Sequence, residues 1–199
     1  MKKYILLFIA FTTTCYSVFA QSEELEKGNQ LLDADKYEQA EAVYRDALQK
    51  YPETTPLQTQ LAFALVQQKK YREAEEIILT VLNKEPLDMP ANWYGGVMYF
   101  YREMPRKALP RFEKTMRLLK PEMGQYASAC WFIGKCYENL LYTEGITQKE
   151  TKRMIEVLEF FLQVRPNAVE AKEVKEFLDK VEEQRPPEIQ TLWREPDGL

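Results

Sequence analysis

The chain has 199 residues, of which 45% are hydrophobic and 13% aromatic, a composition that predicts a folded core. It carries 27 Lys and Arg against 31 Asp and Glu, and this net charge of −4 excludes the basic character of nucleic-acid-binding domains. Histidine is absent, which excludes Ser-His-Asp and Cys-His catalysis and zinc sites with histidine ligands. Since no glycine-rich phosphate-binding motif occurs either, we expect no enzymatic activity, no cofactor and no bound metal.

The N-terminal segment, 1–20, has the pattern of an export signal. Two N-terminal lysines precede an apolar run, Tyr4 to Phe11, that is too short to span a bilayer. Val18-Phe19-Ala20 fits a signal-peptidase site, so we expect a mature chain that begins at Gln21 and is periplasmic or associated with the cell envelope. A lipid anchor at Cys15 is a poorer match, and a short buried helix is the remaining alternative. No later apolar run approaches membrane length, so no integral membrane segment is expected after signal removal.

From Gln21 onward the sequence repeats itself with a period of about 34 residues. Small residues, alanines, large apolar residues and closing prolines each form a series of their own. The series are Gly28, Ala62, Gly96 and Gly134; Ala40, Ala74 and Ala108; Tyr44, Ile78 and Phe112; and Pro52, Pro86, Pro121 and Pro166. Agreement of several independent series on one period indicates a repeated structural unit.

Each unit is predicted to form two helices. In the first unit Ala40, Tyr44 and Ala47 have the spacing of one face of an amphipathic helix, which Pro52 ends. A small residue at Gly28 would let the two helices of one hairpin approach closely, and stacking of hairpins would bury their remaining apolar faces.

This pattern resembles the tetratricopeptide repeat (TPR) family, whose signature is a small residue, an aromatic, an alanine, a second aromatic and a closing proline. The first two units match it most specifically, whereas the third has Pro105 where a tyrosine would stand. The resemblance implies an all-α TPR-like solenoid of about four helix-turn-helix units plus a C-terminal capping helix. We expect the units at about 21–54, 55–88, 89–122 and 127–166.

The fourth unit and the C-terminal region depart from the regular pattern. The interval from small residue to closing proline is longer in the fourth unit, Gly134 to Pro166, than in the first, Gly28 to Pro52, which predicts a protruding loop or a lengthened helix near 142–149. Pro110 should bend the second helix of the third unit. A capping helix is expected over 168–185. The tail, 186–199, contains Ile189, Leu192 and Trp193 and is either a disordered end or a docking segment.

The two cysteines downstream of the signal, Cys130 and Cys136, are predicted to be unpaired and buried. Six residues of helix separate them by about 9 Å of axial rise, whereas a disulfide needs Cα atoms within about 7 Å. Both therefore behave as small hydrophobic side chains.

The resemblance also implies a concave groove. In this family it is lined by residues three before, and one, four and five after, the small residue. Those positions predict an aromatic and apolar partner-binding groove rather than a carboxylate clamp, with Trp93 and Trp131 side by side. Its residues are Phe63, Val66, Trp93, Val97, Phe100, Tyr101, Trp131 and Lys135. Since residues 92–101 are apolar nearly all round, permanent burial of this surface is an equal alternative.

The resemblance implies a non-enzymatic protein–protein interaction module or scaffold of the cell envelope, binding a peptide or partner protein. One alternative is a structural subunit of a fixed envelope assembly whose groove is permanently covered. Another is an envelope hydrolase that uses paired carboxylates, although the acidic side chains of Glu73, Glu75 and Glu76 fit a solvated helix face better. Self-docking of the C-terminal tail in the groove is a further expectation.

Overall fold

The computed structural model describes residues 22–183, so the predicted export segment, residues 1–20, and the tail, 186–199, lie outside the described residues. Within that range the chain forms helices and no strands, which confirms the predicted all-α fold class. The helices are α1 (22–33), α2 (Tyr37–Lys50), α3 (Thr55–Gln67), α4 (Tyr71–Lys84), α5 (Met89–Tyr101), α6 (Pro105–Leu118), α7 (Gly124–Thr143), α8 (Gln148–Val164) and α9 (Ala171–Glu183).

Successive helices pair as hairpins through turns of one recurring type. One residue in each turn has a positive φ, and in three of the turns that residue is not glycine: Asp35 (56°), Lys69 (59°) and Glu103 (54°). In the first turn the amide of Lys36 donates to the carbonyl of Leu31 over 2.8 Å, which closes the end of α1. The three left-handed positions follow one another at the same interval as Gly28, Ala62 and Gly96, so the sequence period is also the period of the backbone.

The small residues permit close helix packing within each hairpin. A Cβ atom added to Gly28 would lie 2.2 Å from Cε1 of Tyr44, and one added to Gly96 would lie 2.7 Å from Cε1 of Phe112. Tyr44 and Phe112 are fully buried, so the surrounding close packing prevents their rings from moving away from an added Cβ. The predicted reason for a glycine at these positions is confirmed.

The helices form two compact units, one through Tyr94 and one from Gly95, with the division inside α5. In the first unit the core is aliphatic apart from Tyr44 and includes Leu57, Leu61, Leu65, Ile78 and Val81. In the second unit the core includes Met98, Phe112, Ile133, Leu140, Met154, Leu158 and Phe161.

The fourth hairpin has longer helices and a short loop. Helix α7 has 20 residues where α3 has 13, and α8 has 17 where α2 has 14, so the extra residues of this unit extend helices. Only residues 144–147 connect α7 to α8. Thr147 caps α8: its hydroxyl accepts the amide of Glu150 over 3.2 Å, while the Glu150 carboxylate accepts the amide of Thr147 over 2.8 Å. Of the two predicted alternatives, the lengthened helix is the one observed.

Two further predictions concern the remaining helices of the second unit. Pro110 lies inside α6, which continues through it to Leu118. Helix α9 packs against α8 with one apolar face and presents charged side chains on its other faces, as expected of a capping helix. The buried residues of α9 are Ala171, Val174, Phe177 and Val181.

In the described range no helix combines the length and the apolar character that crossing a membrane requires.

Candidate functional site

A cavity of about 440 Å³ opens in the second unit, where α5 and α7 reach their C-terminal ends. Helix α5 and the turn after it form one wall, and the last two turns of α7 form the other. The lining residues are Phe100, Tyr101, Glu103, Pro105, Lys135, Cys136, Glu138, Asn139 and Tyr142. A volume of this size lies within the range of ligand sites and can hold one or two large side chains of a peptide.

Two exposed tyrosines stand at this cavity. Tyr101 is 60% exposed and Tyr142 is 66% exposed, and among the described residues these are the aromatic side chains left exposed to solvent. Both line the same cavity. Aromatic rings with a free face and a polar hydroxyl are characteristic of protein-binding surfaces.

A cluster of packed rings supports the α5 wall from behind. The ring centroids of Phe100 and Trp131 lie 6.0 Å apart, and those of Phe100 and Phe132 lie 5.1 Å apart in an edge-to-face arrangement. Phe132 in turn stacks on Phe112 at 4.8 Å, which joins the cluster to the core of the unit. Tyr101 contacts the same cluster through Phe100 at 5.9 Å. Since the rings interlock, the cavity wall is preorganised.

The charges around the cavity are unbalanced toward negative. The Lys135 ammonium lies 2.5 Å from Glu138 and 2.8 Å from Glu173 on α9. Burial lowers the pKa of Lys135, but its hydrogen bonds to these two carboxylates outweigh burial and raise that pKa above its ordinary value. Lys135 is therefore cationic and already shared by two anions. Among the residues that line the cavity, Glu103, Glu138 and Lys135 give a net charge of −1.

The thiol of Cys136 also lines the cavity, but it is not a nucleophile. Cys130 and Cys136 are both buried and unpaired, as predicted. Burial raises the pKa of Cys136 to about 12 and that of Cys130 to about 11, so both remain protonated at neutral pH. They act as small packing groups.

Of the predicted groove residues in the first unit, Phe63 and Trp93 are half-buried and Val66 is buried. Phe63 stacks on Tyr94 with the ring centroids 4.8 Å apart. In this unit a smaller cavity of about 270 Å³ lies elsewhere, between Leu48, Leu61 and Ile77.

Of the predicted groove residues in the second unit, Tyr101 is exposed, Phe100, Trp131 and Lys135 are half-buried, and Val97 is buried. The cavity brings together Phe100, Tyr101 and Lys135. The expected pairing of Trp93 with Trp131 involves residues of both units and stays a prediction.

Sequence reasoning missed Tyr142 and Glu103 as site residues. Tyr142 stands eight residues after Gly134, beyond the positions that the family pattern assigns to the groove. Its signal was the greater length of the fourth unit, because an extended α7 carries its exposed face further toward the turn. Glu103 belongs to the turn after α5, where a left-handed residue with φ of 54° places it at the cavity mouth.

A second cavity in the second unit has a mainly charged lining. It measures about 740 Å³ and lies along α6 and α8. There the Arg153 guanidinium donates to both carboxylate oxygens of Glu113 over 3.0 and 3.1 Å, a structural ion pair. Across the described residues no three Cys, Asp or Glu side chains are grouped so that they could hold a metal ion.

Comparisons with known proteins agree with this fold. A family model described as tetratricopeptide repeat matches residues 31–93. A solved structure of a MamA mutant superposes with a TM-score of 0.64 at 17% identity, covering 84% of this chain and 93% of that one. MamA from Desulfovibrio magneticus gives 0.62 at 16% identity, covering 83% and 97%. A thermophilic TPR protein of Thermus thermophilus gives 0.54 at 16% identity, covering 85% and 94%.

No curated protein matches the chain in sequence. At 16–17% identity the solved structures show a common fold and nothing of a common partner. The family match within the first unit and the structural likeness over more than four-fifths of the chain agree with the repeat pattern of the sequence. Residues 31–93 therefore match the tetratricopeptide repeat family, and the described part of the chain has a TPR-like fold.

Proposed function

We propose that this protein is a non-enzymatic interaction module or scaffold of the cell envelope, and that it binds a segment of a partner protein in the cavity between α5 and α7. The observation that carries the proposal is the placement of the two exposed tyrosines, Tyr101 and Tyr142, at one cavity. TPR proteins bind protein partners, and the resemblance of this chain to them supports the same class of function.

Binding of a partner segment in the cavity would be favoured by burial of exposed apolar surface. A partner side chain inserted between the two tyrosines would remove their exposed ring faces from water, at about 25 cal/mol per Å² of apolar surface. Because the rings of Phe100 and Trp131 already pack together behind the wall, the wall loses little conformational entropy when a partner binds. Lys135 and Asn139 provide polar groups for the backbone of the bound segment. An apolar anchor within a polar rim is the usual composition of a protein interface.

The test is crosslinking of the tagged protein in its native envelope, followed by mass spectrometry. The double variant Tyr101→Ala/Tyr142→Ala should lose about tenfold or more of the recovery of a partner, since truncation of interface anchors costs about 2 kcal/mol or more. Leu87→Ala is the matched control, because Leu87 is equally exposed at 64% but belongs to the first unit. Equal recovery with a correctly folded double variant would contradict the proposal.

Light scattering and chemical modification of the tyrosines test the alternative of a fixed structural assembly. In that case light scattering would find the protein only as an oligomer, and both tyrosines would be protected from chemical modification in it. The double variant would then dissociate the assembly. A monomer with modifiable tyrosines supports an open site.

Placement in the envelope is supported by the sequence pattern of the N-terminal segment, 1–20. Cleavage after Ala20 should give a mature chain that begins at Gln21, which N-terminal sequencing of the expressed protein can check. Acylation at Cys15 would instead give a lipid-modified product that a Cys15→Ser variant lacks.

A further inference from the structure

Helix α9 runs beside α7 in the same direction. Near its beginning Glu173 bonds to Lys135 of α7 over 2.8 Å, and one turn later Phe177 contacts Tyr142 of α7 with ring centroids 6.5 Å apart. Helix α9 therefore runs parallel to α7, toward the turn that begins at Glu144. Since the cavity lies at that end of α7, α9 leads the chain toward the cavity mouth.

The chain after α9 has ample length to enter the cavity. Six residues of helix between Phe177 and Glu183 rise about 9 Å, so α9 ends within a short distance of Tyr142. Ten further residues reach Trp193 and can span up to about 33 Å when extended. A return from Glu183 to the cavity therefore requires no rearrangement of the helices.

The segment that follows matches the cavity in chemistry. Ile189, Leu192 and Trp193 have i, i+3 and i+4 spacing in the sequence, the spacing of the apolar anchors in groove-binding peptides. Arg194 comes directly after them. The cavity offers two exposed tyrosine rings and a lining with a net charge of −1, so an aromatic side chain followed by a guanidinium complements both features.

We infer that residues 189–194 occupy the cavity of their own chain, with Trp193 against Tyr101 and Tyr142 and with Arg194 beside Glu103. This inference rests on the proposed function, because it assigns regulation to the same site. The tethered segment acts as an internal competitor with an effective concentration in the millimolar range. A partner segment binds only as it displaces Trp193.

The test uses the full chain and a fluorescein-labelled synthetic peptide of residues 186–197. The variant Trp193→Ala has a disabled segment, so it should bind the peptide about tenfold or more tightly than the wild-type chain, whose site is occupied. Adding Tyr101→Ala/Tyr142→Ala to Trp193→Ala should abolish binding, whereas adding Leu87→Ala should not. Glu103→Arg in the Trp193→Ala chain should favour a peptide carrying Arg194→Glu over the unmodified peptide.

Each other outcome overturns the inference. Equal peptide affinity of wild type and Trp193→Ala means that the segment does not compete, and failure of both to bind means that the cavity does not recognise it. Competition that grows with protein concentration means that the segment enters a second copy. Partner recovery in the crosslinking experiment does not depend on this peptide, so the inference can fail while the proposed function stands.

Discussion

The first and fourth hairpins contain the same kind of buried contact, a glycine against a large side chain, although the helices of the fourth hairpin are longer. In the first hairpin Gly28 faces Tyr44, and in the fourth Gly134 faces Leu158, each with 2.2 Å to an added Cβ. Seven residues separate Gly28 from the left-handed turn residue Asp35, and nine more lead to Tyr44. In the fourth hairpin the turn residue is Gly145, and each of the same two intervals is longer by four residues.

The eight extra residues are therefore divided equally on the two sides of the turn. Four residues are slightly more than one helical turn, so each helix grows by one turn and keeps its inward face toward its partner. The contact between Gly134 and Leu158 survives because both helices lengthen together. The added turn of α7 carries Tyr142, which becomes part of the candidate site. Paired lengthening thus creates new surface and leaves the core contact unchanged.

The largest expected effect tests whether the two core contacts are equivalent. Tyr44→Ala and Leu158→Ala should each lower the free energy of unfolding by about 3 to 4 kcal/mol, because both side chains are fully buried. Urea denaturation followed by circular dichroism measures the loss, with the exposed Val169→Ala as control. A loss below about 1 kcal/mol for Leu158→Ala alone would show that the added turns loosened the fourth hairpin.

Substitution of the contact glycine by alanine should destabilise both hairpins to a similar extent. Gly28→Ala and Gly134→Ala should each lower the free energy of unfolding by about 2 kcal/mol, since overpacking costs about 3 kcal/mol and helix propensity returns about 1 kcal/mol. Gly124→Ala is the matched control, because its Cβ would meet only the guanidinium of Arg165, a long side chain that can shift at the expense of its hydrogen bond to the Gly124 carbonyl. In a double-mutant cycle Gly134→Ala should cost less when Leu158→Ala has already emptied the space.

The turns offer a test with smaller effects of opposite sign. Gly145→Ala should lower the free energy of unfolding by about 1 kcal/mol, since an L residue is strained at its φ of 76°. Lys69→Gly should raise it by up to about 1 kcal/mol, because Lys69 already carries that strain at 59°. Thermal unfolding of the two variants measures both shifts. Destabilisation by Lys69→Gly would mean that the lysine is held there by other interactions.

The smallest expected effect is the pH dependence of one carboxylate in each unit. Burial raises the pKa of Glu150, but hydrogen bonds from the Thr147 amide and the Arg106 guanidinium outweigh burial and lower that pKa overall. Burial likewise raises the pKa of Glu41, and hydrogen bonds from Lys70 and Arg45 outweigh it and lower that pKa overall. A lowered pKa stabilises the folded state above the ordinary glutamate value of 4.5, and that stabilisation is lost as the pH falls through the folded-state pKa.

Glu41→Gln and Glu150→Gln should therefore be less stable than wild type by up to about 1 kcal/mol at pH 7. The difference should diminish as the pH falls below 4.5 and through the folded-state pKa of each carboxylate, and denaturant titration at pH 7 and at successively lower pH values measures it. A difference that persists or grows in acid would rule out the ion pairs as its cause.

Much of the fold was predictable because it depends on local and periodic information. The regular spacing of Gly28, Ala62 and Gly96, and of their large partners, determined the hairpins, their turns and the all-α class before any contact was known. The separation of Cys130 and Cys136 along a helix likewise determined that they remain free.

The candidate site was predictable only in part, because groove positions depend on how far each helix extends and on what covers it. The pattern placed Phe100, Tyr101 and Lys135 at the cavity, but it also selected Val66 and Val97, which are buried. A family pattern gives the direction in which a side chain points and does not give its depth.

The amino-acid sequence by itself determined the repeat, the helices and the small-to-large contacts, because these follow from spacing within one hairpin. Only the tertiary structure decided that eight extra residues lengthen two helices equally, that Tyr142 joins Tyr101 at one cavity, and that Lys135 is shared with Glu173 of α9. Each of those features joins residues distant in sequence, and the packing of buried side chains, rather than any local preference, determines which of them meet.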